Sequence, residues 1–327
     1  MPLLTFITMM LVASSRSFNI LPISRGSATN VIGRIAPVSM SSSNNYPKRL
    51  PVVKDEKSQE LKLEEYLRVK RCIAFIDSSP EPFHVVSTVI AELSAAGFTR
   101  LDESCLWRES NSIKRGGKYY FTRNGSTIVA FTVGLLFQSG ASAFKVIGAH
   151  TDSPNLKLKP RSKKSANGLT QLSVEAYGGG LWHTWFDRDL SVAGRVIVRT
   201  VAPSGAVSFE HRLVKIDRPV LRVPNLCIHL KTPEERDAFK VNKEDHLVPI
   251  LCDHIEKSMS GSASKEGSKE GDDTMADTAT EADSDQWSSE QQPELLSLLA
   301  DELNCETADI VDFEISLYDT QGAATSG

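Results

Sequence analysis

The chain has 327 residues, 40% of them hydrophobic and 24% charged, and its 37 basic and 41 acidic residues give a net charge of −4. That length allows two domains and a substantial core; the composition excludes collagen-like, coiled-coil and wholly disordered chains, and no apolar run approaches the roughly 20 residues of a membrane helix. No basic excess marks a nucleic-acid binder, and the acidity is local: residues 265–285 hold eight acids against Lys265 and Lys269, leaving the rest of the chain at +2.

Residues 1–50 contain no Asp or Glu but carry Arg16, Arg25, Arg34, Lys48, Arg49 and many serines, behind a short apolar run at 3–13. An acid-free, Ser- and Arg-rich leader reads as a targeting peptide. A signal-like core followed by a transit-like stretch resembles the bipartite leaders of proteins sent to complex plastids. The expected destination is an organelle, plastid or mitochondrion; the alternative is an uncleaved N-terminus on a cytoplasmic protein.

Leu63, Leu67, Ile73 and Ile76 recur at near-helical spacing and predict a helix over 59–77 that ends before Ser78-Ser79-Pro80. A second helix is expected over 82–96, with Phe83, Val86, Ile90 and Leu93 on its stripe and Gly97 just past its end. KYYFTR and STIVAFTV, joined by Asn124-Gly125, predict a hairpin. FKVIGAH (144–150) reads as a buried strand. From 172 to 230 the chain is β-rich: LSVEAY, AGRVIVRT, VSFEHRLVKI and the stretch around LCIHL are candidate strands. Residues 257–293 read as a solvated acidic loop. A helix over 293–304 and a strand over 309–319 close the chain. The five cysteines (Cys72, Cys105, Cys227, Cys252, Cys305) are widely spaced, with no CxxC pair, and read as buried or inert thiols in a reducing compartment.

Three stretches could carry chemistry. In GAHTDSPNLKLKP (148–160), His150 stands where the expected strand ends, and Asp152 is two residues on. A neutral imidazole there can ligate zinc, and the carboxylate can take the ring N–H that faces away from the metal. Taken alone, such a histidine is more often structural. In YGGGLWHTWFDRDLSVAGRV (177–196), Asp187, Arg188 and Asp189 read as a self-satisfying ion cluster beside aromatics. His229 in RPVLRVPNLCIHLK (218–231) reads, from spacing alone, as a core histidine. No GxSxG, HExxH, phosphate loop or strand-associated GxGxxG is present.

These stretches together resemble the M18 family of metallopeptidases, the aspartyl aminopeptidases. The resemblance runs in order from SPEPFHVV (79–86) through KYYFTRNGSTIVAF, IGAHTDSPNLKLKP, YGGGLWHTWFDRDLSVAGRVIV, RPVLRVPNLCIHL and HLVPIL to DIVDFEISLYDTQ (309–321). It implies an α/β zinc exopeptidase that removes N-terminal Asp or Glu from peptides with two Zn2+ ions per active site. It also implies a β-rich dimerisation domain inserted into the catalytic fold, and a large homo-oligomer, a dodecamer in the family. On this resemblance His150 is a metal ligand, Asp152 the active-site aspartate beside it, and His229 a substrate-binding residue that reaches a neighbouring subunit's site. The domain plan that follows is a leader at 1–50, the first part of the catalytic α/β domain at 51–160, the inserted domain at 161–308, and a return to the catalytic domain at 309–327. Most metal ligands of the family follow this point, so the catalytic domain is expected to be incomplete here. The alternative is an inactive subunit that acts in assembly.

Overall fold

A computed structural model describes residues 56–107, 112–251 and 286–325. The leader, Cys252 and the acidic segment 252–285 lie outside the described residues. The chain divides into two compact units, residues 1–72 and 73–327. Helix α1 (Glu56–Ser78) forms as expected. Its Leu63, Leu67 and Ile76 are all exposed. Among the described residues no helix is long and apolar enough to cross a membrane.

In the second unit, α2 (Pro82–Ala95) starts on Glu81, whose buried carboxylate accepts hydrogen bonds from the Phe83 and His84 backbone N–H groups at 2.8 and 2.9 Å. Pro82 occupies the first turn, where its missing N–H costs nothing. A small sheet follows: β1 (Thr99–Arg100) parallel to β2 (Lys118–Arg123), and β2 antiparallel to β3 (Thr127–Thr132). The predicted hairpin turn is present. Asn124 and Gly125 both have positive φ, as a two-residue turn matched to the strand twist requires.

The strand expected at 144–150 does not form. These residues are irregular, and Phe144 and Val146 are 86% and 87% exposed. A strand exists only by pairing, and among the described residues the small sheet ends at β3.

Most of the core lies in a closed β-barrel. Its strands are β4 (Asn155–Ala166), β5 (Leu169–Tyr177), β6 (Leu190–Val201), β8 (Leu221–Arg222), β9 (Ile250–Leu251) and β10 (Ile310–Asp319), with β7 (Val207–Lys215) added outside β6. The order runs β10-β4-β5-β9-β8-β6, and a long antiparallel ladder between β6 and β10 closes the ring. Closure removes most of the sheet's open edges. Val192, Val196 and Val198 of β6 alternate inward against Ile315 and Leu317 of β10. Two short helices, α3 (Pro233–Asp237) and α4 (Gln286–Ser289), precede α5 (Pro293–Leu303). Leu295, Leu298 and Leu299 of α5 are buried in the barrel's core cluster, each worth about 2 kcal/mol relative to exposure. Asn304 ends α5 in the left-handed conformation.

Residues 160 and 161 both lie in β4, and Ile310–Asp319 pairs with β6 as a strand of the barrel. Within the stretch expected as a loop over 257–293, Gln286–Ser289 is a helical turn and Pro293 begins α5. Pro160 cannot donate to a ladder, and β4 leaves β5 between Leu158 and Lys163. The fully buried Gln291 takes over there: its amide donates to Pro160 O at 2.7 Å, and its Oε1 accepts from Ser162 Oγ at 2.7 Å.

Candidate functional site

The segment 148–154 leads into β4, so His150 stands ahead of a strand rather than behind one. Three contacts hold this segment. Thr151 Oγ1 donates to Ser126 O, beside the hairpin turn, at 2.8 Å. The His150 ring meets Asp152 Oδ1 through Nδ1 at 2.9 Å. Tyr177 Oη donates to the other Asp152 oxygen, Oδ2, at 2.7 Å. Sequence reasoning missed Tyr177, although it directly precedes the glycine triplet of a stretch already singled out. The triplet has its own role: Gly178 has positive φ, and a Cβ there would touch Pro154 at 3.5 Å.

The electrostatics agree with the geometry. Hydrogen bonds from Tyr177 and then His150 hold the Asp152 carboxyl below the usual carboxylate range. The same carboxylate pushes the Tyr177 phenol up. Asp152 is therefore an anion at neutral pH, and Tyr177 is a phenol able to donate. With the carboxylate on Nδ1, the neutral ring carries its proton there and turns a lone pair outward at Nε2. The His150 side chain is 88% exposed, so that lone pair is open to a ligand.

His229 is elsewhere. It lies on a 3₁₀ turn, Ile228–Leu230, not on a strand or in the core, and its ring is exposed with no hydrogen-bond partner among the described residues. It shares no hydrogen bond or ion pair with His150 or Asp152. The root of this segment is fixed by Asp187, whose backbone N–H bonds Val223 O at 2.9 Å and whose carboxylate accepts from the Asn225 backbone at 3.1 Å. The Asp187–Asp189 cluster is satisfied by distant partners rather than internally. Arg188 pairs with Asp319 at 2.7 Å, and Asp189 with Arg222 at 3.1 Å, around a shallow hollow of about 260 Å³.

An imidazole oriented by a carboxylate, with its second nitrogen free, matches in chemistry the two organic members of a carboxylate–histidine–metal unit. The chain belongs to the M18 family: residues 75–327 match the aminopeptidase I zinc metalloprotease (M18) model. It is 42% identical over 266 residues to an aspartyl aminopeptidase of Dictyostelium discoideum, covering 81% of this chain and 52% of that protein. To an aspartyl aminopeptidase of Aspergillus oryzae it is 44% identical over 262 residues, covering 78% and 49%. The solved structure of an Ape4 and Nbr1 complex aligns with a TM-score of 0.62 at 39% identity, over 78% of this chain and 44% of the other. The chain spans about half the length of the curated relatives it matches. Its mixed α/β fold is that of the M18 structures.

Proposed function

We propose that the protein is a zinc-dependent aminopeptidase that releases N-terminal aspartate or glutamate from peptides. The observation that carries this is the His150–Asp152 pair, at 2.9 Å, on a chain of the M18 family. The acidic preference rests on the names of the relatives. In this reading His150 ligates zinc through Nε2, and Asp152 fixes its tautomer and raises its basicity. His229 contacts substrate from its exposed turn, in the site of a neighbouring copy. The protein assembles with itself through the β-rich barrel, into the dodecamer that the resemblance implies, and the leader at 1–50 directs it to an organelle, plastid or mitochondrion.

The donors fit zinc in kind, and two ions per active site follow from the resemblance. When bound, zinc polarises the scissile carbonyl and acidifies the attacking water. A catalytic zinc takes three protein ligands, and among the described residues no three His, Cys, Asp or Glu side chains gather as a metal-holding group. The described residues thus account for one ligand. Their own work is orientation: Asp152 holds the ring, and Tyr177 holds Asp152.

The test uses the protein isolated from its source. Its zinc content is measured, together with aspartate release from a peptide with N-terminal Asp, against a zinc-free control. Zinc-dependent release is expected, and His150→Ala abolishes it. Turnover equal to the control would end the aminopeptidase reading and leave the assembly role. Undiminished turnover in His150→Ala would end the metal assignment.

A further inference from the structure

The Asp152 carboxylate has two oxygens, and each is used by a different partner. Oδ1 meets His150 Nδ1 at 2.9 Å and Oδ2 receives the Tyr177 phenol at 2.7 Å. An aspartate χ2 torsion is broad and roughly two-fold, so a single bond to His150 leaves the carboxylate plane free to turn. A second bond on the opposite oxygen fixes it. The roles follow from the donor inventory: an ionised carboxylate only accepts, and a phenol is the donor that can face it.

Tyr177 is also the anchored member of the three. It ends β5 with its Cα paired to Asn155 of β4, so its backbone belongs to the barrel ladder. Its ring lies under the Lys157 ammonium, 4.9 Å from the ring centroid, and Lys157 is held by Glu314 of β10 at 2.6 Å. Glu314 in turn meets Arg195 of β6 at 3.4 Å. His150 and Asp152 sit on an irregular segment. One O–H···O bond therefore ties the pair's carboxylate to the barrel wall.

We propose that Tyr177 is a positioning residue, whose phenol orients the Asp152 carboxylate so that His150 carries its proton on Nδ1 and presents Nε2 to a ligand. The consequence for zinc rests on the function proposed above, whereas the orientation is a property of the metal-free chain.

The experiment is two-bond ¹H–¹⁵N correlation of the histidine rings in the full chain without metal, at a pH where the imidazole is neutral. The wild-type His150 ring is mainly the Nδ1–H tautomer. Tyr177→Phe, which keeps the ring under Lys157, shifts the tautomer ratio of His150 toward Nε2–H by about fivefold, the equivalent of one hydrogen bond. Asp152→Asn, which removes the anionic acceptor, shifts it further, and amide spectra of the barrel show that both variants are folded. The proposal is overturned if Tyr177→Phe leaves the His150 ratio unchanged, whether or not Asp152→Asn moves it. A shifted ratio in a protein without zinc-dependent aspartate release would support the positioning role while the aminopeptidase reading fails.

Discussion

Replacing Gly194 with alanine tests the closure of the barrel. Gly194 lies in β6 opposite Ile315 of β10. A Cβ at this position would stand 2.1 Å from Glu314 O and 2.9 Å from Ile315 Cα. Both neighbours are backbone, so no side chain can rotate away, and the two strands must part by about 1 Å to restore ordinary contact. Overpacking relieved by side-chain movement costs about 1–3 kcal/mol. Opening the ladder adds weakened hydrogen bonds at about 1 kcal/mol each, against a gain of about 0.5 kcal/mol from the stiffer unfolded chain. The net loss is about 3 kcal/mol, which lowers Tm by about 6–12 °C in a unit of this size. Thermal unfolding followed by circular dichroism measures it. Gly179→Ala is the control, because nothing lies within 4 Å of a Cβ there. A Gly194→Ala melting point within about 2 °C of wild type would refute the close approach of β6 and β10.

Gln291→Ala leaves Pro160 O, the Ser162 backbone N–H and the Ser162 hydroxyl without the partner that replaces the ladder, and costs about 2–4 kcal/mol in urea unfolding. Gln291→Glu is also destabilising, because a carboxylate cannot donate to Pro160 O. Glu81→Ala removes the side-chain cap of α2 and loses about 1–2 kcal/mol, read as a lower midpoint of unfolding. Tyr318 donates to Ile216 O at 2.7 Å, and burial pushes its phenol up to about 12. Between about pH 10 and 12 the unfolded chain has lost a proton that the folded chain keeps, so stability falls as pH rises, by about 1 kcal/mol across the window once solvent screening of the half-buried phenol is allowed for. Tyr318→Phe lacks this component, and urea midpoints that decline in parallel for the two proteins would contradict the assignment.

Local patterning alone determined a good deal of this protein. The helix stripe at 82–96, the Asn124-Gly125 turn between two β-rich runs, the apolar rows of β5 and β6, and the helix before β10 each follow from periodicity or turn chemistry over about ten residues. The hydrogen bond between His150 and Asp152 is local in the same way, with two residues of separation, whereas the roles given to the pair come from the family resemblance. What only the tertiary structure decided depends on partners far away in the chain. FKVIGAH has the composition of a buried strand, yet strand character comes from a neighbour, and the described residues offer it none. Residues 155–166, rich in lysine and interrupted by Pro160, form a strand because Leu156 and Leu158 face a core that β5 and β10 complete. Gln291 replaces a ladder interrupted by Pro160, 131 residues earlier. Tyr177 reaches Asp152 across 25 residues because β4 and β5 are in register at Asn155 and Tyr177. Periodicity is written in neighbouring residues, whereas pairing, closure and the second bond on a carboxylate are properties of the folded chain.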